Sequence, residues 1–437
     1  MSSFEFFAPC PRGLEEALAA ELHELGHVAP LAVGAQVPGG VHFAGPWAAG
    51  MAANLHSRIA SRVLLRIAQR AYRSEQDIYA LAMEQRWEDW FSARQTLRVD
   101  VTAIKAPLKS LEFVTLRIKD AICDRLRDKT GARPSIDTAQ PDVRAFAFLN
   151  AQQATLYLDT SGDALFKRGW RLDKGAAPLR ENLAAGILRL AGWRHGMAPA
   201  VPLYDPMCGS GTFLAEAAQI CLGVPAGVMR RFGFERLQGY DINAWQTLRQ
   251  QALDAQQTAR AHAEPLPIYG SDISGDMLIK ARLNFERAGL PPLSLKQVDA
   301  RVMVPPSAEA GIIVTNPPYG ERLDVRGRGP GRRDDDGVDE GDHEYGDAGF
   351  RRARPDSVDA EFFQAFGNAL KQRFAGWTVH VLTADMRLPG QMRLREARRT
   401  PLFNGAIECR LFRFDMIAGA VRKRPASGSS DPVSENA

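Results

Sequence analysis

The run Gly311-Ile312-Ile313-Val314-Thr315 leads straight into Asn316-Pro317-Pro318-Tyr319. β-Compatible residues followed by a Pro-Pro pair describe a buried strand with an abrupt end. Proline has no N–H to give a ladder and fixes φ, so the backbone has to leave the sheet there. An amide and an aromatic ring are thereby placed at the C-terminal edge of a strand, where open α/β sheets hold their ligands. Such an edge suits a planar base carrying an exocyclic amine. The Asn316 side-chain oxygen and the Pro317 carbonyl can accept hydrogen bonds from the amine, and Tyr319 can stack on the ring. A plain surface turn is the alternative for Pro-Pro, and the apolar strand in front argues against it.

From about residue 200 onward strands alternate with helices, which predicts a parallel, helix-covered α/β sheet. Val201-Pro202-Leu203-Tyr204-Asp205 reads as its first strand, Pro206-Met207-Cys208-Gly209-Ser210-Gly211-Thr212 as a loop, and Phe213 to Cys221 as a helix. Glycines two apart let the backbone approach a ligand, and the helix N-terminus behind them offers free N–H groups to an anion. A carboxylate ending the second strand would hold a ribose diol. Asp241 and Asp272 both qualify. Choosing Asp272, followed by Ile273, gives one strand per slot before Asn316, with 222–265 as a mostly helical insertion; Asp241 leaves one strand too many. Asp299-Ala300 closes the third strand, where an acid and a small residue suit an adenine amino group and its neighbouring ring nitrogen. Helix capping is the bland role for Asp299.

The first 162 residues read differently. Leu14 to Leu25 is an amphipathic helix with Leu14, Leu18, Leu22 and Leu25 on one face, and Pro46 to Ser57 predicts a second. Residues 61–162 predict a compact α+β unit, with strands at Leu97–Ala103 and Ala154–Asp159 and a helix over Leu111–Lys129 ending near Gly131. A linker rich in Gly, Lys and Arg covers 163–180, and Pro178 opens a helix to about Gly192. Residues 324–357 and 424–437 hold too few apolar side chains to offset ordering entropy and predict disorder.

A chain of 437 residues accommodates two or three such domains. No segment is long and apolar enough to span a membrane, and the N-terminus lacks a secretory pattern, so a cytoplasmic protein is expected. The five cysteines are scattered without a C-x-x-C pair, and the histidines show no H-E-x-x-H. Neither a disulfide framework nor a metal site is expected. A net charge of +4 is compatible with nucleic acid without demanding it. Lys105, Lys109, Arg117, Lys119 and Arg125 are candidate RNA contacts. Arg58, Arg62, Arg66, Arg70 and Arg73 would form a phosphate-tracking stripe on a helix but would scatter on a strand.

Asp205-Pro206-Met207-Cys208-Gly209-Ser210-Gly211-Thr212 together with Asn316-Pro317-Pro318-Tyr319-Gly320-Glu321-Arg322-Leu323 resembles the class I S-adenosylmethionine-dependent methyltransferases that act on nucleobase amines. In their extended form the motifs are similar to the RlmL family of 23S ribosomal RNA guanine-N2 methyltransferases. Phe166-Lys167-Arg168-Gly169-Trp170-Arg171 and Ala177-Pro178-Leu179-Arg180-Glu181-Asn182-Leu183 resemble the segments that precede the catalytic domain there. The resemblance implies a ferredoxin-like segment over 1–60, a THUMP RNA-binding domain over 61–162, and a Rossmann-like methyltransferase domain over 181–423. It implies that Asp205, Pro206, Cys208, Gly209, Gly211 and Thr212 shape the methionine end of an S-adenosylmethionine pocket. Asp272 and Ile273 would then meet the ribose, Asp299 and Ala300 the adenine, and Asn316 to Tyr319 the target base. The implied partner is 23S ribosomal RNA or a large-subunit assembly intermediate. The insertion at 324–357 departs from the family pattern, and a second fused catalytic domain, present in some relatives, is not expected. Transfer RNA guanine-N2 or adenine-N6 methylation, and a non-catalytic RNA-binding factor, are the competing functions.

Overall fold

A computed structural model describes residues 3–172, 179–194, 201–261, 266–318 and 357–417, with 357–359 by backbone alone. Tyr319, the expected insertion up to residue 356, Pro178 and the tail 424–437 lie outside the described residues.

The first half contains β1 (Phe4–Pro9), α1 (Glu15–Leu25), β2 (Ala32–Val37), β3 (Gly40–Gly45), α2 (Trp47–His56), β4 (Leu64–Ala71), α3 (Glu75–Glu84), β5 (Leu97–Ala103), α4 (Leu111–Thr130), β6 (Val143–Leu149) and β7 (Gln153–Asp159). Period-two patterning makes the strands. In β6, Val143, Ala145, Ala147 and Leu149 point into the core while the residues between them stay half-exposed. Helix α4 starts where the Ser110 hydroxyl accepts the Phe113 N–H at 3.2 Å. It ends at Gly131, whose φ of 74° is left-handed. All seven strands join one sheet in the order β2-β3-β1-β4-β7-β6-β5. The division expected between residues 60 and 61 therefore falls in the chain and not in the sheet, because β1 pairs with β4 through Phe7 and Leu64.

The second half contains α5 (Glu181–Leu190), β8 (Leu203–Asp205), α6 (Thr212–Cys221), α7 (Ile242–Ala261), β9 (Ile268–Asp272), α8 (Gly275–Arg287), β10 (Ser294–Gln297), β11 (Ile312–Thr315), α9 (Ser357–Arg373), β12 (Thr378–Thr383), α10 (Leu388–Met392), β13 (Arg398–Asn404) and β14 (Ile407–Asp415). Its sheet runs β10-β9-β8-β11-β12-β14-β13. The pairs from β10 to β12 are parallel, and β14 is antiparallel to both its neighbours. The chain moves outward from β8 to β10 and then returns to β11 on the other side of β8. The carboxyl ends of β8 and β11 thus form the crevice where doubly wound sheets bind ligands. Register aligns Tyr204 with Ile313, so Asn316 emerges close beside the loop that follows Asp205.

The two halves are joined by burial. Residues Thr212 to Ile220 of α6 are all buried, as expected of a helix covered on every side. Gly186 of α5 lies so close to Leu14 that a Cβ would approach its Cδ1 to 2.3 Å. The described part of the linker is packed as well, with Arg168 and Trp170 buried.

Candidate active site

The loop from β8 to α6 is shaped by backbone geometry. Asp205 is 2% exposed, and its Oδ1 accepts the Met207 N–H at 3.1 Å. The Cys208 N–H donates to the Ser271 carbonyl at 3.0 Å, tying the loop to β9. Gly209 and Gly211 have φ of 52° and 83°. Their roles differ. A Cβ on Gly211 would stand 2.6 Å from the Phe285 ring, whereas one on Gly209 would meet nothing closer than Met277 Cε at 3.7 Å. Gly211 permits α8 to pack on the loop, while Gly209 leaves an open approach to its backbone. Thr212 opens α6, and its hydroxyl accepts from Arg171 Nη1 at 3.1 Å.

Asp272 ends β9. Its Oδ2 accepts the Gly209 N–H at 2.8 Å and its Oδ1 the Ser274 N–H at 2.9 Å. Asp241 stands at the start of α7 instead, accepting the Asn243 and Ala244 N–H groups at 2.9 and 3.0 Å. The choice between the two acids follows from topology: Asp272 lies on the strand that pairs with β8. Ile273 is 42% exposed just beyond it. Asp299 and Ala300 follow β10. Ala300 is buried, but Asp299 is held by Arg301, whose Nε lies 3.0 Å from both carboxylate oxygens. Reading the sequence missed this clasp, although the Asp-x-Arg spacing was its signal.

The charges in this crevice compete with burial. Burial pushes the Asp205 carboxyl up to about 7, and the negative charge of Asp272 adds to the rise. The Thr315 hydroxyl and the Met207 N–H pull in the opposite direction. Thr315 acts there through proximity, since its oxygen makes no hydrogen bond of ordinary geometry among the described residues. Burial also raises Asp272, whereas hydrogen bonds from Arg301 hold Asp299 below the ordinary range. Cys208 is raised by burial, which keeps it a thiol.

Asn316 is half-buried, Pro317 buried and Pro318 half-buried. The Asn316 side-chain oxygen is shielded from solvent and has no partner among the described residues. A buried acceptor left unmet costs about 1–3 kcal/mol. This oxygen sits beside the Asp205 loop and can receive a donor. Asp205, the glycine loop, Asp272, Asp299 and Asn316 are all brought to one edge of the sheet. Tyr319 lies outside the described residues.

The basic candidates separate into two sets. Lys105 and Lys109 are exposed between β5 and α4, close in sequence to the exposed Ile104, Leu111, Phe113 and Leu116. Arg117, Lys119 and Arg125 are engaged internally. Arg117 lies 4.2 Å over the Tyr79 ring, Lys119 pairs with Asp120 at 3.0 Å, and Arg125 pairs with Glu88 at 2.5 Å. The arginine stripe does not form, because β4 is a strand. Arg58 and Arg62 pair with buried Glu216 and Asp159, and Arg66 and Arg70 with Glu5 and Glu84.

A second group was not foreseen. Glu216, fully buried inside α6, is met by Arg58 at 2.9 Å and by Arg168 at 3.1 Å. Arg168 also donates to the Arg58 carbonyl at 2.6 Å, and Arg171 pairs with Glu181 at 2.8 Å. The available signal was a single acid within the otherwise uncharged run Thr212-Phe-Leu-Ala-Glu216-Ala-Ala-Gln-Ile220. Among the described residues, no three His, Cys, Asp or Glu are grouped to hold a metal ion, and no helix is long and apolar enough to cross a membrane.

Comparison with known proteins agrees with this architecture. An RlmL ferredoxin-like domain model matches residues 5–64, a THUMP domain model residues 72–159, and an RMKL-like methyltransferase domain model residues 168–329. The ribosomal RNA large subunit methyltransferase K/L of Aeromonas hydrophila is 35% identical over 434 residues, covering 95% of this chain and 55% of its own length. The chain spans about half the length of the curated relatives it matches. A candidate methyltransferase solved with SAH superposes with a TM-score of 0.78 at 25% identity, over 95% of this chain and 99% of that one. A predicted N6-adenine-specific DNA methylase from Listeria monocytogenes superposes with a TM-score of 0.76 at 26% identity, over 95% and 97%. The chain therefore carries the RlmL-type series of domains: a ferredoxin-like domain, a THUMP domain and an RMKL-like methyltransferase domain with a Rossmann-like sheet.

Proposed function

We propose that the chain is an S-adenosylmethionine-dependent RNA methyltransferase acting in the cytoplasm on the exocyclic N2 of a guanine in 23S ribosomal RNA. The observation that carries this reading is the buried, unpartnered Asn316 oxygen beside the Asp205 loop. The open face over Gly209 fits a bound donor, with the loop from Asp205 to Thr212 around its methionine end. Asp272 and Ile273 would meet the ribose. Asp299 would reach adenine with Arg301 turned aside, and Ala300 would floor that site. When bound, S-adenosylmethionine supplies a methyl group already activated on a cationic sulfur. The protein's task is then alignment, which can contribute several kcal/mol. Asn316 and the Pro317 carbonyl accept hydrogen bonds from the two amine N–H groups, so that the nitrogen lone pair is aimed and its growing positive charge stabilised. Pro318 fixes the loop and Tyr319 stacks on the extruded base. Asparagine is a weak base, so the surplus proton leaves to water after transfer. Lys105 and Lys109 contact the RNA, and Arg117, Lys119 and Arg125 belong to the same domain surface.

Asn316→Ala is expected to lower methyl transfer at least a hundredfold, on the scale of losing one transition-state partner, while SAH still binds in calorimetry. Full transfer by the purified variant would remove Asn316 from the mechanism. Nucleoside mass spectrometry of ribosomal and transfer RNA from a deletion strain tests the substrate. Loss of N2-methylguanosine from 23S RNA alone is the expected result. Adenine N6 is the second reading, because a structural relative is described as acting there and Asn-Pro-Pro-Tyr grips either amine.

A further inference from the structure

Thr315 closes β11 and is 1% exposed, yet its hydroxyl oxygen is shielded from solvent with no hydrogen bond of ordinary geometry among the described residues. The proposed mechanism gives this side chain no part. Its neighbour Asn316 carries another orphaned oxygen. Buried polar atoms without partners are rare, and two in succession mark a place where a ligand completes the network. Ile313 stands opposite Tyr204, so Thr315 lies one step beyond Asp205 on the adjoining strand. Neighbouring strands are about 4.8 Å apart, which brings the hydroxyl near the carboxyl. Burial drives the Asp205 carboxyl up, and the Thr315 hydroxyl is the largest influence drawing it back. The other titratable groups facing Asp205 are Asp272 at the end of β9, Cys208 in the following loop and Tyr204 on the same strand. None is a cation, so this buried acid has no counter-ion among the described residues. Such an acid calls for a ligand that brings one.

We propose that Thr315 is a positioning residue for the cofactor: its hydroxyl donates to Asp205 and holds the carboxylate ionised and turned toward the ammonium group at the methionine end of S-adenosylmethionine. An ionised carboxylate accepts more strongly than a neutral acid, so the Thr315 bond forms together with the charge. Below neutral pH the free protein keeps the Asp205 proton and leaves the Thr315 hydroxyl unmet. With the ammonium in place, Asp205 releases that proton to solvent and takes Thr315 as donor. The inference deepens the reading that the Asp205 loop surrounds the methionine end, and it rests on that reading.

The test is calorimetric binding of SAH to the full chain across a pH series, with 5′-methylthioadenosine, which lacks the amino-acid end, as the control ligand. SAH affinity is expected to rise as pH passes about 7, where Asp205 ionises. Thr315→Val is expected to move that midpoint up by about one pH unit, so that SAH binds about tenfold more weakly at about pH 6 and within about twofold at about pH 8.5. Thr315→Ser, which keeps the hydroxyl, is expected to keep the midpoint. 5′-Methylthioadenosine is expected to bind all three proteins alike, with little dependence on pH. At about pH 6 the valine variant is expected to melt no lower than the unmodified chain, because the hydroxyl it lacks is unmet there. A loss of SAH affinity that is the same at every pH, an unmoved midpoint, a serine variant that behaves like valine, or an equal loss of 5′-methylthioadenosine would each overturn the role of Thr315. Absence of SAH binding by the unmodified chain would overturn the methionine-end reading and Thr315 with it. Full transfer by Asn316→Ala would instead overturn the base site and leave the Thr315 result standing.

Discussion

Asp205 shows how far a single side chain depends on its surroundings. Its place at the end of the first core strand was readable, because an acid before a glycine loop is a local pattern. Its ionisation was not, because the low-dielectric walls come from β9 and β11. With a carboxyl near pH 7 in the folded state and an ordinary value near 3.8 unfolded, the folded chain retains a proton that the unfolded chain has released between these limits. Stability therefore falls as pH rises through that window, by on the order of a few kcal/mol, with the full cost borne above about pH 7. Asp205→Asn is expected to melt well above the unmodified chain at pH 8 and to lose most of that advantage at pH 4.5. Melting curves at the two pH values check this, and an equal difference at both would refute it. Asp299 carries the same lesson. The acid was legible, but Arg301 closing over it depends on the turn after β10.

The glycine loop and α6 work as one element, and periodicity read it well. The expected helix and the observed Thr212–Cys221 differ by one residue at the start. The two glycines were indistinguishable in sequence, and the structure separates them. Gly211→Ala combines left-handed backbone strain with a clash against Phe285, an expected loss of roughly 2–5 kcal/mol. Gly209→Ala meets open space but shares the left-handed strain, so it is expected to lose about 1–2 kcal/mol, less than Gly211→Ala, yet bind SAH far more weakly. Thermal melting paired with calorimetry separates the two, and identical behaviour of both variants would refute the division of labour. Strand β5 was read to its final bounds, since Leu97 to Ala103 alternates cleanly. Arg62 to Arg73 was ambiguous because Arg recurs near helical spacing while Leu64 and Leu65 pack as a strand; pairing of β4 with β1 and β7 decided it.

Glu216 links the two halves through its pairs with Arg58 and Arg168. Removing its carboxylate leaves Arg58 and Arg168 buried without their shared counter-ion, which typically costs 3–5 kcal/mol. Glu216→Ala is expected to lower the melting temperature sharply and to expose the N-terminal half to limited proteolysis before the rest. Melting within a degree of the unmodified chain would show that the network does not join the halves. Resemblance of the motifs implied the ferredoxin-like, THUMP and methyltransferase series, whereas the amino-acid order itself set the local chemistry: the proline-stopped strand, the glycine loop, and the alternation of strands and helices. These features depend on φ limits, side-chain period and turn residues, all of which act over a few residues. Only the tertiary structure decided that β8 and β11 share a crevice, that one sheet runs through both N-terminal domains, and that Glu216 binds the halves together. Those contacts join residues far apart in the chain, and their partners are selected by burial and hydrogen-bond satisfaction in the folded whole, which no short stretch of sequence encodes.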